Sequence, residues 1–180
     1  MIDVVPRLRD ERSAFVALLR SLDPHEWAFP TECPAWTVHG IALHVLGDDL
    51  SLLSRQRDGV PNGLLAHAAR SPATDFLQLL DSFNEEWVTT ASFLSPSLVM
   101  DLLALTGEQT AAWYADVPPD RLGEPVHWIG PEPAPYWLIA AREFVERWVH
   151  HHQVARATKR PAPGEPLTVC AAGVLAQALP

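Results

Sequence analysis

The sequence predicts an all-α fold, an up-and-down bundle of four to five helices. Three observations carry that expectation. Apolar residues recur at three- and four-residue spacing through several long stretches, and several stretches open on a capping residue. No run of alternating β-branched residues is flanked by hairpin turn chemistry. The 17 prolines mark the joints between the periodic stretches.

The first helix is expected over residues 3–22, with Phe15, Leu18, Leu19 and Leu22 on one face. "DPHEWAFPTECPAW" (23–36) follows as a proline-rich loop with Trp27 and Trp36. Thr37 is a good N-cap for a second helix reaching about residue 57, because its hydroxyl accepts from a free amide of the first turn. That helix carries Val38, Ile41, Leu43, His44, Val45, Leu46, Leu50 and Leu53, and "DGVPNG" closes it. Ser71-Pro72 is read as the start of the third helix, with Phe76, Leu79, Leu80, Phe83 and Trp87. Ser95-Pro96 opens the fourth, with Leu98, Leu102, Leu105 and Trp113. Each is a cap followed by proline, whose missing N–H costs nothing at the first helical position. "DVPPDRLGEPVHWIGPEPAP" (116–135) reads as a long irregular connection. The last strong helix is expected over 136–159, ended by "RPAPGEP", with a short final helix over 167–179.

Bulk properties narrow the function. The chain has 180 residues and a formal net charge of −9. That length allows one domain with a proper core. The acidic balance excludes the Lys/Arg clusters that phosphate backbones need, so no nucleic-acid partner is expected. No apolar run is long enough to span a bilayer, so no membrane partner is expected. The early residues Asp3, Arg7, Arg9, Asp10, Glu11 and Arg12 leave no room for a signal peptide,. Cys33 and Cys170 stand far apart in sequence, as reduced thiols of a cytoplasmic protein would,.

The chemistry concentrates in "ERWVHHHQVARA" (146–157). Glu146 and His150 are four apart, which on a helix sets them on one face at about 5–6 Å between Cβ atoms. A carboxylate and an imidazole so placed reach one ion at about 2.0–2.2 Å each. His151 and His152 are rotated by about 100° and 200° from His150, so the three cannot share an ion. Arg142 with Glu146, and Glu143 with Arg147, equally fit an ordinary salt-bridged helix face. On the second helix His44 sits among Ile41, Leu43 and Val45, either as a hydrogen-bonded core residue or as a ligand. A His on one inward face and a Glu–His pair on another supply what a metal site in a bundle needs. His39 is a weaker candidate, five residues before His44; His67 and His127 sit in loop-like contexts and are read as surface. The set His44, Glu146 and His150 leaves one coordination position open, the arrangement of a catalytic zinc site. Such His and carboxylate donors also suit nickel, iron or manganese. Gln153 is placed to orient His150 or a substrate, and Arg142 to hold Glu146 or meet an acidic substrate. Trp36 and Trp148 are read as core residues first and pocket walls second.

"PTECPAWTVHGIALHVLG" resembles the loop and second helix of the mycothiol-dependent maleylpyruvate isomerase family, within the DinB-like (YfiT-like) superfamily. Its members show a Cys-Pro-Gly/Ala-Trp-Thr-Val loop and then a helix with His-Leu-x-Gly or similar. "ERWVHHHQVARATKRP" resembles their last bundle helix, and the likeness covers about residues 5–165. The resemblance implies a DinB-like four-helix bundle with an extra short helix, residues 1–165 forming the metal-binding bundle. Residues 166–180 would open a truncated C-terminal segment. It implies a divalent metal, usually zinc, on His44, Glu146 and His150, with mycothiol or a similar low-molecular-weight thiol as cosubstrate. The thiol would bind the open metal position as a thiolate and add to a small-molecule electrophile. Isomerisation of a cis double bond or S-transfer would follow. Three other readings stand beside it: a non-catalytic metal-binding module acting as sensor or interaction domain, a metal-dependent hydrolase using activated water, and a helical domain with no metal whose histidines are satisfied by hydrogen bonds.

Overall fold

The structure is a computed structural model that describes residues 3–72, 75–126 and 130–177. Helix α1 (Val5–Arg20) begins at Pro6 in its first turn and buries Leu8, Phe15, Val16, Leu18 and Leu19. The loop after it contains a 3₁₀ turn, Glu26–Ala28, with Trp27 buried. Arg160 Nη2 pairs with Glu26 Oε2 at 2.8 Å, tying this loop to the far end of the chain.

Helix α2 (Val38–Leu52) starts where the sequence places it, with the Thr37 hydroxyl accepting from the Gly40 amide at 3.3 Å. It runs on into a π turn, Leu53–Arg57, and Gly59 with φ 72° reverses the chain. Positive φ is the conformation glycine adopts without a Cβ penalty. A short helix α3 (Gly63–Ala68), absent from the sequence reading, is capped by Asn62. Helix α4 (Phe76–Ala91) corrects the expected start at Ser71-Pro72. Its cap is Asp75, which accepts from the Gln78 amide at 2.8 Å. A carboxylate immediately before the apolar run is a better-placed acceptor than a serine four residues upstream. Helix α5 (Pro96–Asp116) has the expected Ser95 cap and Pro96 start.

The connection read as irregular contains two short strands, β1 (Leu122–Pro125) and β2 (Pro133–Pro135). They pair antiparallel with Leu122 opposite Pro135 and Pro125 opposite Pro133. The fixed φ of proline favours extended backbone and this edge position. Helix α6 (Tyr136–Ala157) follows, and Lys159 with φ 55° stops it. Helix α7 (Glu165–Gln177) packs on α6 and α1. Its Leu167, Ala171 and Val174 enter the core.

Space order differs from chain order. α1 lies against α5 and α6, while α2 lies against α5, α6 and α4. The bundle therefore reads α1–α5–α2–α6 around its axis, with α4 outside on α2. The fold class is all-α, as the periodicity predicts. One core cluster gathers Phe15, Leu19, Ile41, Leu46, Leu103 and Val154. A second gathers Leu8, Leu52, Tyr114, Ile139 and Phe144. Between the described helices none is long and apolar enough to cross a membrane.

Candidate metal centre

α2 and α6 are neighbours in the ring, and each turns a histidine toward the other. The His44 and His150 rings stand 4.7 Å apart between centroids, edge to face. Both residues are buried. Burial holds the His44 imidazole down to about 4. Burial, then the neighbouring His44, also lowers His150. Both rings are thus neutral at pH 7, the form in which imidazole is a metal ligand.

Second contacts orient the rings. Trp36, half-buried, stacks on His44 at 4.5 Å between centroids with planes 29° apart. Its indole Nε1 donates to Glu85 Oε2 at 2.9 Å, which anchors it to α4. Trp36 therefore walls the histidine pair while also packing on the core cluster of Phe15 and Ile41, so both readings of it hold. Gln153 Oε1 lies 2.9 Å from His150 Nδ1 and accepts its proton. Nε2 of His150 is left with its lone pair, 3.7 Å from Glu146 Oε2. Burial raises the Glu146 carboxyl above its usual range.

The structure brings together His44, Glu146 and His150, the three residues singled out in the sequence, and adds a fourth. Asp48 lies four residues after His44, its Oδ2 3.4 Å from His44 Nε2. Burial and then the Glu143 charge push Asp48 up to about 6. Its signal was present in the sequence, since His44 and Asp48 have the same spacing as Glu146 and His150. The donors form two pairs. Among the described residues no three His, Cys, Asp or Glu side chains converge into a complete cage. The donor chemistry nonetheless fits a divalent ion: two neutral imidazoles and two carboxylates, with an imidazole nitrogen and a carboxylate oxygen facing each other across each pair,.

A cavity of about 560 Å³ opens beside the pair, lined among others by His44, Asp48, Ser51, Phe83, Trp87 and Arg142. That is within the usual range for small-ligand sites. Trp87 Nε1 donates to the Leu43 carbonyl at 2.7 Å and fixes one wall.

Behind the site runs a buried row of charges, of which the sequence offered only Glu143 and Arg147, as a pair that equally fits a salt-bridged helix face. Asp49 accepts from Arg12 at 2.5 and 3.0 Å, from Arg147 at 2.8 Å and from Thr106 at 2.7 Å. Arg147 reaches Glu143 at 3.2 Å, with both side chains 6% exposed. Glu143 also takes Arg142 as its ion-pair partner, and the Arg142 charge acts on Glu146 as well. The remaining histidines have other duties. His151 Nδ1 meets the buried Glu11 at 3.1 Å, and His152 packs edge-on against Trp148 at 4.3 Å. Trp148 also packs against the second core cluster, in keeping with its reading as core. His39 lies against Trp27 at 5.8 Å, away from the pair. His67, read as surface, is buried on α3 between Glu86 and Ser82, each at 2.8 Å. The unforeseen α3 is what carries it inward. His127 lies outside the described residues.

No curated protein and no solved structure matches the chain. A family model does, that of the mycothiol maleylpyruvate isomerase N-terminal domain, over residues 8–155. The matched span takes in α2, α6 as far as residue 155 and every side chain that meets at the histidine pair, and the chain belongs to that family, as its loop and last-helix motifs imply.

Proposed function

We propose that the chain is a divalent-metal-dependent protein that uses mycothiol or a similar low-molecular-weight thiol, as an isomerase or S-transferase acting on a small electrophile. The observation that carries this reading is the neutral His44–His150 pair, flanked by Glu146, at the edge of a cavity of about 560 Å³. His44, Glu146 and His150 would hold the ion. When bound, it supplies a strong lowering of thiol pKa, so that the cosubstrate reacts as its thiolate.

The protein's own groups then have defined tasks. Trp36 holds the His44 ring by stacking, and Gln153 holds His150 so that Nε2 faces the site. Ring orientation of this kind is set by the partner on the other ring nitrogen. The cavity walls place the electrophile beside the histidines, and Trp87 keeps that wall in position through Leu43. Arg142, already paired with Glu143, also lines the cavity, where its remaining N–H groups would meet an acidic group of the substrate. A thiolate in such a cavity can add to an activated double bond and leave again after rotation, which is isomerisation, or remain on the electrophile, which is S-transfer.

The test is metal content by plasma mass spectrometry on untagged protein, beside His150→Ala. About one equivalent of zinc or a similar divalent ion, lost in the variant, supports the reading. It would justify screening mycothiol with unsaturated acids. No metal in either protein after reconstitution overturns it.

A further inference from the structure

The two helices that face each other at the site carry the same pair of residue types in opposite order. α6 has Glu146 and then His150; α2 has His44 and then Asp48. Two atoms bound to one ion at about 2.0–2.2 Å stand about 3.3–3.6 Å apart at a tetrahedral angle. The His44 Nε2 to Asp48 Oδ2 separation is 3.4 Å, inside that range. The His150 Nε2 to Glu146 Oε2 separation is 3.7 Å, just outside it. The α2 pair is thus the better prepared chelate of the two.

Asp48 also lacks another occupation. Its neighbour Asp49 accepts four hydrogen bonds from Arg12, Arg147 and Thr106. Among the described residues Asp48 has its ion-pair contact with His44 and lines the cavity. The Glu143 carboxylate adds to the negative charge around it, and the Arg142 and Arg147 charges offset part of that. A half-buried carboxylate whose contact is a neutral imidazole gains from a cation that both can bind,.

We propose that Asp48 is a fourth protein ligand, making the centre a two-histidine, two-carboxylate site. This rests on the reading of His44, Glu146 and His150 as ligands. A second carboxylate shifts the donor set toward harder ions such as manganese and iron as well as zinc. It also means that a thiol reaches the ion either by displacing Asp48, which lines the cavity, or by adding as a fifth ligand.

The experiment is a titration of the metal-free chain with Co²⁺, followed by calorimetry and by the visible d–d band. Wild type, Asp48→Asn and His150→Ala are compared. The band's position and intensity report the ligand set directly, without any activity. Asp48→Asn should weaken Co²⁺ binding by at least about a hundredfold, the upper end of what loss of an outer partner costs, and shift or weaken the band. Asparagine keeps the shape of the side chain; should that variant fail to fold, Asp48→Ser serves in its place. Unchanged affinity and band in Asp48→Asn, with loss in His150→Ala, overturn the fourth ligand and leave the three-residue site standing. Weakened affinity with an unchanged band makes Asp48 an outer partner of His44 and also overturns the proposal. No Co²⁺ binding by wild type overturns both this inference and the function it rests on.

Discussion

Arg12 on α1 grips both carboxylate oxygens of Asp49 on α2, at 2.5 and 3.0 Å, across the diagonal of the bundle. The two side chains are 5% and 0% exposed. Arg147 of α6 and Thr106 of α5 bind the same carboxylate. One acidic group therefore ties together all four helices of the ring, one residue from Asp48 and five from His44. It fixes the rotation of α2 and α6 that makes the histidines meet.

Asp49→Ala should consequently be among the most damaging single substitutions in the chain. It leaves the buried Arg12 guanidinium without its counter-charge and Arg147 with Glu143 alone, a loss of about 3–5 kcal/mol. Urea unfolding of the metal-free protein checks it. A loss below about 1 kcal/mol would mean that water replaces the carboxylate and that the row of charges does not organise the bundle.

His151 and Glu11 form a second buried pair, 3.1 Å apart and 4% and 0% exposed in their side chains. Glu11 Oε2 has no hydrogen-bond partner among the described residues. Removing the histidine alone isolates the carboxylate, so His151→Leu should cost about 3–5 kcal/mol. The double variant Glu11→Leu/His151→Leu should recover most of that loss. The two single losses should therefore exceed the double loss in a thermodynamic cycle. Additive losses would show that the pair is not coupled.

The contrast between these charges and the candidate site shows what the sequence can reveal. Thr37 and Ser95 are legible as caps because capping is settled within four residues. Glu146 and His150 are legible because helical spacing alone sets them on one face, and the family motifs add His44. Asp48 obeys the same spacing as Glu146 and His150, but a Gly-Asp-Asp run reads as a solvated turn of helix. Glu11, Arg12, Asp49 and the pairing of Arg147 with Asp49 were illegible for another reason. Charged residues are almost never buried unless paired, and their partners lie 37 to 140 positions away. His67 was missed because its burial depends on α3, a six-residue helix too short for a periodic signal. The β1–β2 pair escaped notice because proline-rich strands have no alternation.

Gly47 is the point where α2 admits Trp87. A Cβ there would stand 2.5 Å from Trp87 Cδ1, against a rigid indole. Gly47→Ala should push Trp87 off the Leu43 carbonyl and distort the cavity wall. Overpacking of this kind costs about 1–3 kcal/mol. The check is thermal unfolding together with tryptophan emission, which should report an altered Trp87 environment. Unchanged emission and stability would mean that the two helices part without cost and that the wall is soft.

The final prediction concerns pH. His44 is held neutral down to about 4 by burial, against an ordinary value of 6.5. Below pH 6.5 the unfolded chain takes up a proton at this position that the folded chain refuses. The unfolded state then binds more protons, so stability falls as the pH falls, through the window from 6.5 to 4, and levels off below it. A His44→Gln variant has no such group. The stability of metal-free wild type relative to His44→Gln should therefore decline across that window, by up to about 3 kcal/mol. Metal would steepen the decline, because protons compete with the ion for the same imidazole. Urea unfolding of both proteins at pH 7, 5.5 and 4 tests this. A difference that stays constant with pH would show that His44 titrates normally in the fold, and hence that the imidazole is not kept neutral for a ligand.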